Sequence, residues 1–272
     1  MKKNIVLFLC ITILGLFGTG YASEKQPYKI APAFVRITTN ALGYNLLAKK
    51  VATVALKKSL NKSAKGEYKI KFDSYSGVDL KKGKFRGLVI DGENISVDDE
   101  LYVSKLHMET TSKYNYVDYK KDPIVFKTDL PLKYNVEISE DDLNKSIKAN
   151  NTVDFISALI PLVSIDTPKV TIINNKLKFG SALKFPFGKS LKFSMTSDLA
   201  VKDGKIVFTN VKASKTNELT EKLIELMNDK NMLENVSVNL FDGAETNMKV
   251  NNIKINDKKI NIDGDIVIKK AE

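Results

Sequence analysis

The chain is poor in the residues that reactive chemistry uses most. It has one cysteine, one histidine and no tryptophan in 272 residues. The cysteine, Cys10, falls in an N-terminal stretch that reads as an export signal, so the mature chain is expected to have none. That excludes disulfides, thiolate metal sites and cysteine nucleophiles. A hydrolytic triad needs a base, usually histidine. His107 stands alone between strand-like Leu106 and Met108, and the sequence marks no partner for it. One histidine without mature cysteine also argues against zinc. Arginine is scarce: Arg36 and Arg86 are the only two, and the other 41 basic residues are lysine. Arginine is the preferred reader of base edges and phosphates, so nucleic acid is not the expected partner. No apolar run of membrane-spanning length follows residue 22.

What is there begins with that leader. Lys2 and Lys3 form a basic start, Ile5 to Phe17 an apolar middle, and Gly20-Tyr21-Ala22 places small residues before a cut after Ala22. Residues 1–22 are therefore expected to be a signal peptide. Residues 23–272 are expected to be one exported domain, in the periplasm or peripheral to a membrane of the cell envelope. A lipid-modified Cys10 is disfavoured, because almost no apolar stretch precedes it and Phe8-Leu9 lacks the small residues such a site needs. The formal charge of +11 falls to about +9 without Lys2 and Lys3. A basic exported chain is drawn to anionic surfaces.

Residues 31–60 predict one long helix. Ile37, Ala41, Tyr44, Ala48, Val51 and Ala55 form one stripe, and Leu42, Leu46, Val54, Leu56 and Leu60 widen it. A face so wide needs a broad, concave cover. Lys57, Lys58 and Lys62 suit the negative end of the helix dipole, and Ala64-Lys65-Gly66 ends the pattern. From residue 67 the period becomes two, as in Tyr68, Ile70 and Phe72. Phe85, Leu101, Val103 and Leu106 mark further strands, with Asp91-Gly92 as an expected turn. Residues 112–122 are polar and tyrosine-rich, as at a long hairpin end.

One mid-chain helix is expected after Ser139, and another over 152–165, shortened or kinked at Pro161. Then strands return. Leu177, Phe179, Leu183, Phe185 and Phe187 share a parity, as do Leu191, Phe193, Met195, Leu199 and Val201. Asp203-Gly204 predicts a hairpin, and residues 216–229 an amphipathic helix. In the last strand Ile260, Ile262, Ile266 and Ile268 face one way, with Gly264 at the remaining inward position. There is no β-α-β alternation, so the expected class is α+β: a strongly curved antiparallel sheet wrapped around the long N-terminal helix.

Three acidic or glycine motifs invite a chemical reading, and local structure accounts for each. Gly188-Lys189-Ser190 lacks the glycine a P-loop needs at 183, where Leu183 stands. Asp98-Asp99-Glu100 lacks the spaced ligands of a calcium loop and reads as a solvated turn. In "LPLKYNVEISEDDLNKSI" (130–147), Leu130, Leu132, Tyr134, Val136 and Ile138 share one strand face. Ser139 and Asp142 match a capping box, and Glu140, Asp141 and Asp142 fill the first helical turn, where negative charge is favoured.

That strand-cap-helix stretch, with its S-x-x-D-L-N core, resembles the LmeA-like phospholipid-binding family of exported bacterial proteins. "KFDSYSGVDLKKGKFRGLVIDGENI", "TPKVTIINNKLKFGSAL", "LAVKDGKIVFTNVKAS" and "KINDKKINIDGDIVI" are similar to its other strands, so the resemblance spans most of 45–269. It implies a tubular-lipid-binding-like shape with an apolar groove for acyl chains. The lysine-heavy surface and polar 112–122 segment depart from the family's pattern and leave the headgroup open.

The expected function is thus an exported phospholipid-binding or lipid-transfer protein serving envelope lipid or glycolipid maintenance. It needs no catalytic residue, metal or cofactor. Its expected partners are an acyl lipid and an anionic membrane surface. Candidate groove residues are Ile37, Ala41, Tyr44 and Ala48 on the long helix, Phe155, Leu159 and Ile160 mid-chain, and Leu132, Tyr134 and Val136 on the strand. The alternative is a non-catalytic structural or assembly protein of the envelope without a lipid ligand.

Overall fold

A computed structural model describes residues 27–121, 123–149, 164–184, 188, 190–214, 221 and 245–271. The N-terminal apolar stretch folds as two helices rather than one. α1 (Ala33–Ala41) and α2 (Tyr44–Ser63) meet at Leu42-Gly43. Gly43 sits at φ +70°, a left-handed backbone that suits glycine and ends a helix. The Leu42 and Gly43 amides close the last turn of α1 on Thr38 and Asn40, each at 3.1 Å. α2 then runs directly into β1 (Ala64–Asp73), close to the stop expected at 64–66.

β1 is the edge of a six-stranded main sheet that is antiparallel throughout. Its order is β1, β3 (Gly87–Val97), β4 (Leu101–Thr110), β7 (Leu130–Ser139), β14 (Lys259–Ile268) and β13 (Thr246–Asn256). Between β1 and β3 come α3 (Gly77–Lys81) and β2 (Lys84–Phe85). β2 forms a small sheet with β5 (Asn115–Asp118) and β6 (Val125–Phe126). A second sheet holds β8 (Ser164–Ile165), β9 (Lys169–Ile173), β10 (Lys176–Lys184), β11 (Ser190–Lys202) and β12 (Lys205–Ala213). The α+β antiparallel class holds, and the sheets are open rather than closed.

Alternation decides the inner face. On β14, Ile260, Ile262, Gly264, Ile266 and Ile268 are all buried, as the sequence predicts. β7 lies beside it, with Leu130, Leu132, Tyr134 and Ile138 buried and Val136 partly so. Two inward positions pair a tyrosine with a glycine directly opposite: Tyr134 with Gly264, and Tyr68 with Gly92. A Cβ at Gly264 would run into the Tyr134 phenol and the Lys249 carbonyl. A Cβ at Gly92 would lie 2.7 Å from Ile95 Cδ1 and 3.0 Å from Tyr68 Cε1. Asp91-Gly92 is therefore not the expected turn but the interior of β3. The glycine is there to let a ring lie across the strand. The chain turns instead at Asp98 and Asp99, with φ of 52° and 57°. The Asp203-Gly204 hairpin forms as expected, both residues at positive φ.

α4 (Glu140–Ala149) follows β7 through the expected capping box. The Asp142 amide donates to Ser139 Oγ at 3.1 Å, and the Ser139 amide to Asp142 Oδ2 at 2.9 Å. The same helix joins the two sheets. Asn144 Oδ1 accepts from the Val170 amide at 2.8 Å, and Glu140 Oε2 from the Ile172 amide at 2.7 Å. These side chains take the place of a neighbouring strand on β9, so its buried amides are satisfied. Of the expected 152–165 helix, only Ser164 and Ile165 are described, and they form β8 instead. The expected 216–229 helix lies outside the described residues except for Glu221, which is helical. Phe185 and Phe187 lie outside them as well.

Candidate functional site

α2 is apolar on both sides, and the two sides have different fates. Ala48, Ala52, Leu56 and Leu60 recur every fourth residue and are buried. They pack toward the main and small sheets, beside a cavity of about 20 Å³. Ala52 and Leu56 line it from the helix, Leu130 and Leu132 from β7, and Phe85 and Phe126 from the small sheet. That space holds roughly one small guest and, being apolar, is expected to be dry. An acyl chain enters this seam only if α2 moves.

On the other side, Phe34 and Ile37 of α1, Leu42 at the joint, and Leu46, Leu47, Val51 and Val54 of α2 are each 60% or more exposed. Scattered exposed apolar residues are ordinary, but a run of this kind along one helical pair is not.

The groove candidates divide accordingly. Ala48, Leu132 and Tyr134 are buried on the core side, with Val136 partly buried beside them, and Leu132 lines the cavity. Burial pushes the Tyr134 phenol well above its usual range, and its hydroxyl reaches the Lys249 carbonyl at 3.4 Å. Tyr44 is half-buried, with the Lys81 ammonium 5.9 Å from its ring centre. Ile37 and Ala41 are exposed. The expected stripe assumed an unbroken helix. The break at Gly43 separates α1 from α2, and within α2 the side that packs runs through Ala48, Ala52, Leu56 and Leu60, while Val51 is exposed. The four-residue spacing from Ala48 to Leu60 was the signal for these residues. Phe155, Leu159 and Ile160 lie outside the described residues.

The start of α1 is pinned by the segment before it. Tyr28 donates its hydroxyl to the Asn115 carbonyl at 2.8 Å, and its ring meets Tyr116 edge-on at 5.6 Å. The Lys84 ammonium sits 5.0 Å from the Tyr28 ring centre and donates to the Lys29 carbonyl at 2.8 Å. The Ala31 amide donates to Asp79 Oδ1 at 2.8 Å. These contacts hold α1 beside α3 although α1 buries no residue of its own.

No family model, curated protein or solved structure matches the chain. The resemblance to the LmeA-like family therefore rests on the quoted residues alone.

Elsewhere the titratable groups are engaged locally. His107 Nδ1 lies 2.6 Å from Asp91 Oδ1 on the outer face of the main sheet, a partner that only strand pairing reveals. Next to them Asn135 donates to Asp263 at 2.7 Å. Asp99 in the acidic turn meets Lys65 at 2.6 Å, and that ammonium holds its carboxyl below the usual range. Among the described residues no cluster of three His, Cys, Asp or Glu side chains could hold a metal, and no helix is long and apolar enough to cross a membrane.

Proposed function

We propose that the protein is an exported phospholipid-binding or lipid-transfer protein of the cell envelope, non-catalytic, with an export signal in residues 1–22. One observation carries the reading: the run of large apolar side chains left exposed along α1 and α2, beside an apolar seam between α2 and the sheets. Acyl chains laid against such surfaces gain about 0.8 kcal/mol per buried CH₂, so affinity needs no reactive residue. The proposed shape is tubular-lipid-binding-like, with the curved main sheet facing the helical pair and the lipid tails along α2. The quoted resemblance to the LmeA-like family adds to the reading.

The test is native mass spectrometry of the protein purified from its own envelope, followed by lipid extraction. A bound phospholipid is the expected result, and a lipid-free protein overturns the reading. The second reading, a structural or assembly protein without lipid, is favoured by the small size of the cavity, and lipid-free protein would leave it standing. Hydrolysis of an envelope ester that disappears in His107→Ala would point to an enzyme instead.

A further inference from the structure

The helical pair leaves its electrostatics as open as its apolar side chains. From Lys25 to Gly66 the chain has no acidic residue, although it has 32 in all. Over α1 and α2 it has six basic ones: Arg36, Lys49, Lys50, Lys57, Lys58 and Lys62. A helical step of 100° per residue orders Leu46, Lys57, Lys50, Val54, Leu47, Lys58 and Val51 around an arc of about 140°. All seven are exposed. Lys50, Lys57 and Lys58 form no ion pair among the described residues. Apolar and basic side chains thus share one outward arc rather than dividing into two faces, and a membrane interface can take both. Apolar side chains enter the boundary between headgroups and acyl chains, and lysines reach back to the phosphates.

We infer that the exposed face of α1 and α2 is a docking surface for an anionic lipid bilayer. Charge complementarity selects this occupant. A second copy would set the same lysines against each other, and residues 1–22 hold two lysines and no acid, so neither complements the face. The inference goes beyond lipid carriage: a face can dock without extracting a lipid, and a carrier can hold one without this face.

The test is co-sedimentation of the full chain with phosphatidylcholine vesicles, with and without phosphatidylglycerol. Binding is expected on the anionic vesicles. Leu47→Glu combined with Val51→Glu should lower partitioning more than about tenfold. Lys50→Gln combined with Lys57→Gln should remove roughly fivefold per lysine on anionic vesicles only. Urea melts of both variants should match the parent, since all four residues are exposed. A Leu47→Cys variant in a Cys10→Ser background should react fast with maleimide in buffer and be protected by anionic vesicles.

Unchanged binding by the Glu variant overturns the inference. So does slow labelling in buffer, where sedimentation would assign the cover to a second copy or, in a monomer, to the acidic stretch 216–229 of the same chain. Failure here with lipid still found by mass spectrometry leaves the carrier reading intact. Docking through this face by a lipid-free protein sinks the carrier reading alone.

Discussion

The outer face of the main sheet and the outer face of the helical pair are both exposed, and they are built in opposite ways. On the sheet, charge is answered in place. Asp91 meets His107 at 2.6 Å, Lys259 meets Glu137 at 3.0 Å, and Lys69 meets Glu93 at 3.6 Å. Each pair joins neighbouring strands, as cross-strand neighbours do. On α1 and α2 themselves there is no acidic residue, Lys50, Lys57 and Lys58 form no ion pair among the described residues, and large apolar side chains stand among them. A surface that balances itself needs no partner. On the proposed reading, a face that leaves both charge and apolar area outward meets an anionic bilayer that supplies both.

The strongest way to break the comparison is to delete the same side chain on the two sides of α2. Leu56→Ala should cost about 3 kcal/mol in urea unfolding, because it removes apolar contact and enlarges an existing cavity. Leu47→Ala should cost under about 0.5 kcal/mol, as exposed changes do. Equal costs would mean the outward side is packed after all.

The inner face of the sheet can be probed at Gly264. Gly264→Ala should cost about 2–3 kcal/mol, since the new methyl collides with the Tyr134 ring and the Lys249 carbonyl. A neutral result in the same melts would mean the ring does not lie across the strand.

Alkaline pH tests the edge of the same interior. Burial pushes the Tyr68 phenol up to about 12, and its hydroxyl donates to the Ala64 carbonyl at 2.7 Å. The folded state thus holds the proton more tightly than the unfolded chain, whose phenols ionise near 10. The corresponding stability, about 2 kcal/mol, is present below pH 10 and lost as pH rises through 12. Tyr68→Phe should flatten that window in unfolding measured against pH. Tyr119, likewise pushed up to about 12 by burial, shares the window, so part of the slope should remain.

The smallest effect belongs to the balanced surface. Glu137, its side chain only 17% exposed, meets both Lys259 and Lys105, the second at 3.7 Å. Glu137→Gln should cost about 1 kcal/mol, with the loss shrinking at high salt. Salt should act on α1 and α2 only through vesicle binding, not through the melt.

Much of the architecture was legible in the residues. The alternation on β7 and β14, the Ser139–Asp142 cap and the Asp203-Gly204 hairpin each depend on spacings of two to four residues. Local sterics and hydrogen bonding decide them before any distant contact forms. The Asp91-Gly92 pair misled for the complementary reason. Its local signal is a turn, and a tyrosine on another strand overrode it. Of the groove candidates named from the sequence, Ala48, Leu132 and Tyr134 are buried and Val136 partly so. Ile37 and Ala41 stand exposed on the far side of the left-handed turn at Gly43, which one glycine's backbone freedom decides.

By itself, then, the sequence determined the periods, the caps and the tight turns, and with them an α+β chain whose helical stretch has more apolar surface than one packing face can use. Only the tertiary structure decided which part of that surface is covered. Among the described residues the sheets cover one side of α2 with four of its residues, and its other apolar side chains face outward among lysines.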